Sequence, residues 1–362
     1  MSTSAGDVHE QWAGEHPLLF GADALASLNR LLARWSHTSL HLLCDENSLR
    51  HCGPELFAVV PALRGLSPIV VPPGEGSKSV EACAAIWAHL AERTADRKAL
   101  LICLGGGVVT DLGGFVASTY KRGIGCVHLP TTLLAMVDAA IGGKTGIDVA
   151  GTKNLVGTFH PPQAVIVHVP FLRSLGKREL MNGLAEMIKH GLVRDAGHWE
   201  AIGDTALHDL TQLTPLIHRS AAIKAEVVSE DPREAGLRKL LNFGHTIGHG
   251  VEAFSWESQQ RALLHGEAVA IGMIGATYLS WRTGLLDRES HDRITAQLRA
   301  LYKPFELADQ DAHRIVELMR NDKKNVGDGF RFTLLRAIGQ GVVDVPVNAA
   351  QVLEALEHYR VG

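Results

Sequence analysis

Five short apolar runs punctuate the first half of the chain: HLLC at 41–44, PIVV at 68–71, LLICL at 100–104, CVHL at 126–129 and AVIVHV at 164–169, with longer helical patterns between them. Buried strands that alternate with helices join one sheet through helical crossovers, so this order predicts an α/β unit with a mostly parallel, Rossmann-like sheet. The segment SVEACAAIWAHLAERTADR fits, because Ala82, Ile86 and Leu90 recur at helical spacing between two of the runs. After about residue 175 strands nearly vanish, and helical patterns continue from GKRELMNGLAEMIKHGLV to QVLEALEHY. One exception, FRFTLLRAIGQGVVDVPV, suits a small hairpin. The expected organisation is a Rossmann-like domain over 1–175 and an all-α domain over 176–362, with the ligand in the cleft between them.

The 46% of hydrophobic residues are enough for two cores, and nothing in the composition argues for disorder. Lys and Arg number 35 against 39 Asp and Glu, and the signs are interspersed, which removes the electrostatic footprint of a nucleic-acid binder. A small-molecule partner is expected instead. Cys44, Cys52, Cys83, Cys103 and Cys126 form no C-x-x-C pair, so they read as buried thiols of a reduced compartment rather than as a disulfide framework or zinc site. The N-terminal MSTSAGDVHEQW carries no signal-peptide pattern, and no stretch approaches the ~18 apolar residues of a membrane span, so a cytoplasmic location is expected.

LLICLGGGVVTDLGGFVAS reads as a buried strand, a glycine turn and a small-residue helix. Such a turn lets backbone N–H groups approach a pyrophosphate at the positive end of a helix. The spacing is not G-x-G-x-x-G, because Thr110 holds the third glycine position, and Gly113 and Gly114 equally suit close helix–strand packing. Further on, Lys144 follows Gly142 and Gly143, and Lys153 precedes Asn154. Glycine-flanked lysines offer an anion backbone donors and a compact positive charge. A phosphate-binding loop of the nucleoside triphosphatase type is absent, since Asp138 stands five before Gly143 where that motif needs glycine.

LLNFGHTIGHGVEAF puts His245 and His249 one helical turn apart, with Glu252 a further turn along. His265 opens LHGEAVAIGM, a helix so rich in small residues that it must be packed closely. Glu186 and Lys189 stand three apart on the otherwise apolar face of RELMNGLAEMIKHGLV. They suit either a helix-surface ion pair or, with Glu186 beside two histidines, a metal site with an open fourth position. The absence of H-E-x-x-H argues against a metalloprotease.

Taken together, GGGVVTDLGGFVAST, LPTTLLAMVDAAIGGKTGID, KNLVGTFHPP, GLAEMIKHG, GLRKLLNFGHTIGH, LHGEAVAIGM and NDKKN…LLRAIG resemble, in order, the 3-dehydroquinate synthase family of sugar phosphate cyclases. The resemblance spans about residues 40 to 340. It implies a phosphate-eliminating lyase dependent on NAD+ and on Zn2+ (or Co2+), acting in the shikimate pathway of aromatic amino acid biosynthesis. Such an enzyme turns 3-deoxy-D-arabino-heptulosonate 7-phosphate into 3-dehydroquinate and phosphate by transient oxidation, phosphate elimination, reduction and aldol closure. The departing phosphate serves as base.

Carried over by motif, the metal ligands are Glu186, His245 and His265. NAD+ falls to Asp45, Asn47, Glu75, Lys78, Gly106, Gly107, Asp111, Thr131, Thr132 and Leu134, with Asp138, Lys144, Lys153, Ser174, Leu175 and Glu179. The substrate phosphate falls to Arg122, Lys144, Asn154, Asn242 and Lys324. The polyhydroxy ring and its chemistry fall to Asp138, Lys144, Lys189, Lys224, Arg238, Asn242 and His249. The family is a cytoplasmic homodimer in which the arginine corresponding to Arg122 reaches across the interface. Lid closure over the phosphate is expected.

The chain departs from the family pattern in three places. GVEAFSWESQQRALL, between His249 and His265, is longer than the usual loop; Ser174 stands for a threonine; EDPRE replaces the commoner D-E-x-E. Related cyclases that make valiolone, deoxy-scyllo-inosose or aminodehydroquinate skeletons are the alternatives. Arg238 and Asn242 favour a carboxylate-bearing substrate, which the aminodehydroquinate enzymes share. A metal-dependent alcohol dehydrogenase would have no use for Lys144, Lys153, Lys189 and Lys224, and a silent scaffold homologue would be expected to lack a ligand or phosphate lysine.

Overall fold

In the computed structural model, which describes residues 8–150, 152–203, 209–258, 261–320 and 329–361, the apolar runs of the first half become neighbouring strands of a seven-stranded sheet. Its strands are β1 (His9–Ala13), β2 (His16–Phe20), β3 (Leu40–Asp45), β4 (Ile69–Val71), β5 (Leu100–Gly105), β6 (Gly125–Pro130) and, after the separate hairpin β7 (Lys144–Val149) and β8 (Thr152–Phe159), β9 (Ala164–Ile166). They lie in the order β1-β2-β9-β6-β5-β3-β4, antiparallel only between β1 and β2. All six residues of β5 are buried, as expected of a parallel strand covered on both faces.

Two expectations needed adjustment. AVIVHV keeps strand geometry only through Ile166, and a 3-10 turn runs from Val169 to Ser174. Pro170 near the start of that turn has no N–H to offer a ladder, and His168 Nε2 bonds Glu55 Oε1 at 2.8 Å. The antiparallel edge β1–β2 and the hairpin β7–β8 were not foreseen. KTGIDV and TKNLVGTF contain glycine, aspartate and asparagine, which strands disfavour.

The helices are α1 (Ala24–Arg34), α2 (Glu46–His51), α3 (Gly53–Val59), α4 (Val80–Glu92), α5 (Gly107–Thr119), α6 (Lys177–Arg194), α7 (Ala196–Gly203), α8 (Leu210–Glu230), α9 (His245–Glu257), α10 (His265–Arg282), α11 (Arg288–Leu301), α12 (Asp311–Arg320) and α13 (Ala349–Val361). Two compact units divide the chain: Met1–Glu179 with Lys224–Pro232, and Leu180–Ile223 with Arg233–Gly362. The end of α8 thus counts with the first unit, where Ser229 Oγ accepts the Gly14 N–H at 2.8 Å and donates to the Trp12 carbonyl at 3.1 Å. The second unit is helical but not all-α, because β10 (Phe330–Ala337) and β11 (Gln340–Val347) form the antiparallel hairpin. Among the described residues no helix is long and apolar enough to cross a membrane.

The small residues of α10 do what their density implied. A Cβ on Gly272 would lie 2.7 Å from the Gly248 nitrogen and closer still to the Gly244 carbonyl oxygen. Gly244 itself sits at φ +79°, a left-handed value that glycine adopts freely, so α9 starts against α10 with no side chain between them.

All five cysteines are buried free thiols, and burial pushes Cys44, Cys52 and Cys126 up to about 12 and Cys83 to about 11. Burial acts oppositely on His128 and His198, lowering each imidazole to about 4. Both therefore stay neutral in the fold, whereas an unfolded chain protonates them near pH 6.5. Stability should hold above about pH 6.5 and fall as pH drops toward about 4, because only the unfolded chain gains protons in that window. Urea midpoints across this range should decline; a midpoint independent of pH would contradict the buried-neutral assignment.

Candidate active site

In the first unit, the strand order β4-β3-β5-β6-β9 reverses direction between β3 and β5. In open parallel sheets a ligand crevice lies beyond the carboxyl ends of the strands at such a reversal. β3 ends there at Asp45 and β5 at Gly105. The chain passes from β5 into α5 within the glycine turn, where a Cβ on Gly106 would meet Thr132 Cγ2 at 2.9 Å. Thr131 N–H donates to the Gly105 carbonyl at 2.9 Å, which fixes the next loop beside the turn. Gly113 and Gly114 are packing residues: a Cβ would press on Cys103 and Leu43 from the former and lie 2.5 Å from Thr145 Cγ2 on the latter.

Around this turn the structure gathers a charged group. Lys78 Nζ is 2.6 Å from Asp111 Oδ2 and 4.0 Å from Glu75 Oε1, and Lys153 Nζ is 3.4 Å from the same Glu75 oxygen. Burial raises the Asp111 carboxyl against the pull of Lys78, while Asp111 and Glu75 outweigh burial and hold Lys78 above its ordinary value. Asp45 is occupied locally, since Oδ1 accepts the Asn47 and Ser48 N–H groups, each at 2.9 Å, and caps α2. Thr132 Oγ1 accepts the Ala135 N–H at 3.2 Å just after Leu134, opening the turn that carries Asp138. Ser174 and Leu175 bond the backbone of the 3-10 turn ahead of α6, and Glu179 stands in the first turn of that helix.

Three candidate anion contacts sit on unusual backbone. Lys144 follows Gly142 and Gly143 at φ +100° and +66°, while Asn154 at +50° and Arg122 at +70° are non-glycine residues in the left-handed region. Strain of this kind costs about 1–3 kcal/mol and tends to cluster at functional sites. All three side chains are exposed. Asp138 Oδ1 and Lys224 Nζ form an ion pair at 2.6 Å within the same unit. Lys324 lies outside the described residues.

In the second unit, α6 carries Glu186 and Lys189, both buried and joined through Glu186 Oε2. The other carboxylate oxygen, Oε1, faces His245 Nε2 at 3.6 Å and His265 Nε2 at 3.5 Å. Each histidine is fixed through its other nitrogen: His245 Nδ1 donates to the Phe243 carbonyl at 3.2 Å, and His265 Nδ1 to Glu252 Oε2 at 3.2 Å. The Nε2 atom of each ring therefore faces the same Glu186 oxygen. One carboxylate oxygen and two imidazole Nε2 atoms brought together are the ligand types of a His₂Glu metal site, so the residues fit a divalent ion. The glycine crossing of α9 and α10 sets the spacing, with the His245 and His265 ring centroids 5.2 Å apart. His249, one turn along α9, brings a third imidazole whose ligand atom lies within 4.8 Å of the other two. Burial holds His245 well below its usual range, whereas Glu186 and Glu252 overcome burial and raise His265 to about 10.

The long segment after His249 is largely absorbed by helix, since α9 continues to Glu257, leaving His265 at the start of α10. Asn182 Oδ1 accepts the Gly266 N–H at 2.7 Å, pinning that start to α6 one turn before Glu186. Arg238 is buried, and Asn242 Nδ2 donates to Glu234 Oε1 at 2.6 Å. The sequence reading had assigned no role to Glu234, at φ +61°, or to Glu252. The stripe His245, His249, Glu252 marked one helix face, but nothing local in the sequence paired Glu252 with a histidine thirteen positions on.

Two family models match consecutive stretches: 3-dehydroquinate synthase N-terminal at residues 68–182 and 3-dehydroquinate synthase C-terminal at 183–325. A 3-dehydroquinate synthase of Parabacteroides distasonis is 38% identical over 96% of this chain and 98% of its own. One from Xanthomonas axonopodis pv. citri is 40% identical over 98% and 99%. Among solved structures, a 2-epi-5-epi-valiolone synthase from Streptomyces hygroscopicus subsp. jinggangensis, with NAD+ and Zn2+ bound, superposes with TM-score 0.79 at 28% identity, covering 91% of this chain and 94% of its own. A 2-deoxy-scyllo-inosose synthase shares the fold at TM-score 0.83 and 23% identity, covering 97% of this chain and 100% of its own.

Proposed function

This chain belongs to the 3-dehydroquinate synthase family, and on that premise we propose that it converts 3-deoxy-D-arabino-heptulosonate 7-phosphate into 3-dehydroquinate and phosphate. The observation that carries the reading is the convergence of Glu186 Oε1 with His245 Nε2 and His265 Nε2, at 3.6 and 3.5 Å, in a chain both of whose halves match the family. The first unit serves as the Rossmann-like NAD+ domain and the second as the metal- and substrate-binding domain. The working form is a cytoplasmic homodimer.

When bound, NAD+ supplies reversible hydride transfer and the Zn2+ or Co2+ ion supplies Lewis-acid polarisation of a substrate hydroxyl. Glu186, His245 and His265 hold the ion. Lys189 neutralises the second Glu186 oxygen, so this carboxylate is presented in one orientation. The nucleotide rests on Glu75, Lys78, Asp111 and Lys153, with Gly106, Gly107, Thr131 and Thr132 leaving its pyrophosphate room to approach the start of α5. Asp45, Asn47, Leu134, Ser174, Leu175 and Glu179 complete that surface.

Arg122, Lys144, Asn154 and Lys324 take the substrate phosphate, whose departure needs its charge neutralised more than it needs a dedicated carboxylate base. Arg238 and Asn242 take the substrate carboxylate, for which a buried guanidinium is the matching donor. Asp138 and Lys224 orient ring hydroxyls as an ion pair, and His249 is the imidazole placed to exchange a proton with a hydroxyl.

Purified protein with NAD+ and Zn2+ is expected to release phosphate from the heptulosonate phosphate and from no other member of a small sugar-phosphate panel, and EDTA is expected to abolish release. Release that survives full chelation removes the metal assignment, and preference for another sugar phosphate replaces the substrate.

A further inference from the structure

Glu252 lies on the face of α9 that presents His245 and His249, seven residues and two helical turns beyond the first. Its carboxylate is buried, at 3% exposure for the residue, and its Oε2 meets His265 Nδ1 at 3.2 Å. A carboxylate buried this deeply needs strong donors to offset its lost hydration. An imidazole whose Nε2 gives its lone pair to a cation is such a donor through Nδ1–H, and the carboxylate offsets part of the ion's charge. The two proposed ligand histidines are also treated unequally. At Nδ1, His245 donates to a neutral backbone carbonyl, that of Phe243, whereas His265 meets a carboxylate. His265 opens α10 and has no preceding helical turn to restrain its ring, while the Gly266 backbone is already pinned by Asn182.

We propose that Glu252 is a positioning residue of the metal centre: its hydrogen bond to Nδ1 locks the His265 ring with Nε2 toward the ion. The inference rests on the His₂Glu reading of the site. It makes the first turn of α10 a ligand prepared for a divalent ion before any ion arrives.

The test is Zn2+ affinity, measured by competition with a chromophoric chelator on the full chain, for the unsubstituted protein, Glu252→Gln and His265→Ala. Glu252→Gln keeps size and loses charge, so its Zn2+ dissociation constant should rise about 10–100-fold. Its NAD+ affinity should be unchanged. The visible absorption of the Co2+-loaded variant should shift. Unchanged Zn2+ affinity in Glu252→Gln beside a lost site in His265→Ala overturns the proposal and leaves the metal site standing. Unchanged affinity in His265→Ala overturns both. Should Glu252→Gln fail to fold, 15N resonances of the Zn2+-loaded unsubstituted protein decide: a proton on Nδ1 of His265 and the metal on Nε2 sustain the proposal, and the reverse overturns it.

Discussion

Gly272→Ala should be among the most damaging single-methyl additions to this protein. The added Cβ would lie 2.7 Å from the Gly248 nitrogen and nearer still to the Gly244 carbonyl oxygen, so backbone faces backbone and no rotamer change relieves the overlap. Alanine improves helix propensity over glycine by about 1 kcal/mol. Overpacking into rigid backbone costs about 3 kcal/mol or more, so the clash wins. The clash sits where α9 and α10 hold the His245 and His265 rings 5.2 Å apart, so loss of tight metal binding should accompany the loss of stability. Urea midpoint and zinc content together check this, and a variant of normal midpoint would mean that the two helices do not cross as described.

Glu186→Gln is the second. It removes one of three proposed metal ligands and strips Lys189, 1% exposed, of the carboxylate that balances it. Breaking a buried ion pair by removing one partner costs about 3–5 kcal/mol, so the single variant should be both unstable and metal-poor. Replacing Lys189 as well, in Glu186→Gln/Lys189→Met, should recover most of the stability and none of the metal. Turnover should fall on the order of a thousandfold or more in either variant, since Lewis-acid polarisation contributes several kcal/mol and each 1.36 kcal/mol is a factor of ten. Full recovery of phosphate release in the double variant would show that Glu186 is a structural partner of Lys189 and not a ligand.

What was legible in the sequence follows from how local each signal is. The runs at 41–44, 100–104 and 126–129 became β3, β5 and β6 because a strand buried on both faces needs an unbroken apolar stretch, and the chain shows one. His245 and His249 were readable because helical periodicity alone puts them on one face. The β1–β2 edge was not, since HEQWA and HPLLF are short and mixed and become strands only by pairing with each other and with β9. Glu252 and Glu234 were missed for the same reason: their partners, His265 and Asn242, are brought to them by turns and helix packing that no residue spacing encodes.

The five thiols have a practical consequence. All lie within the first compact unit, and four are held at about 11 or 12, far from the thiolate form that alkylating reagents attack. The native chain is therefore nearly silent to such reagents, and the second unit has no cysteine with which to contribute. Thiol labelling is thus a clock for the opening of one half of the molecule only, the half proposed to hold the nucleotide, and it can be read while metal is added to or withdrawn from the site proposed in the other.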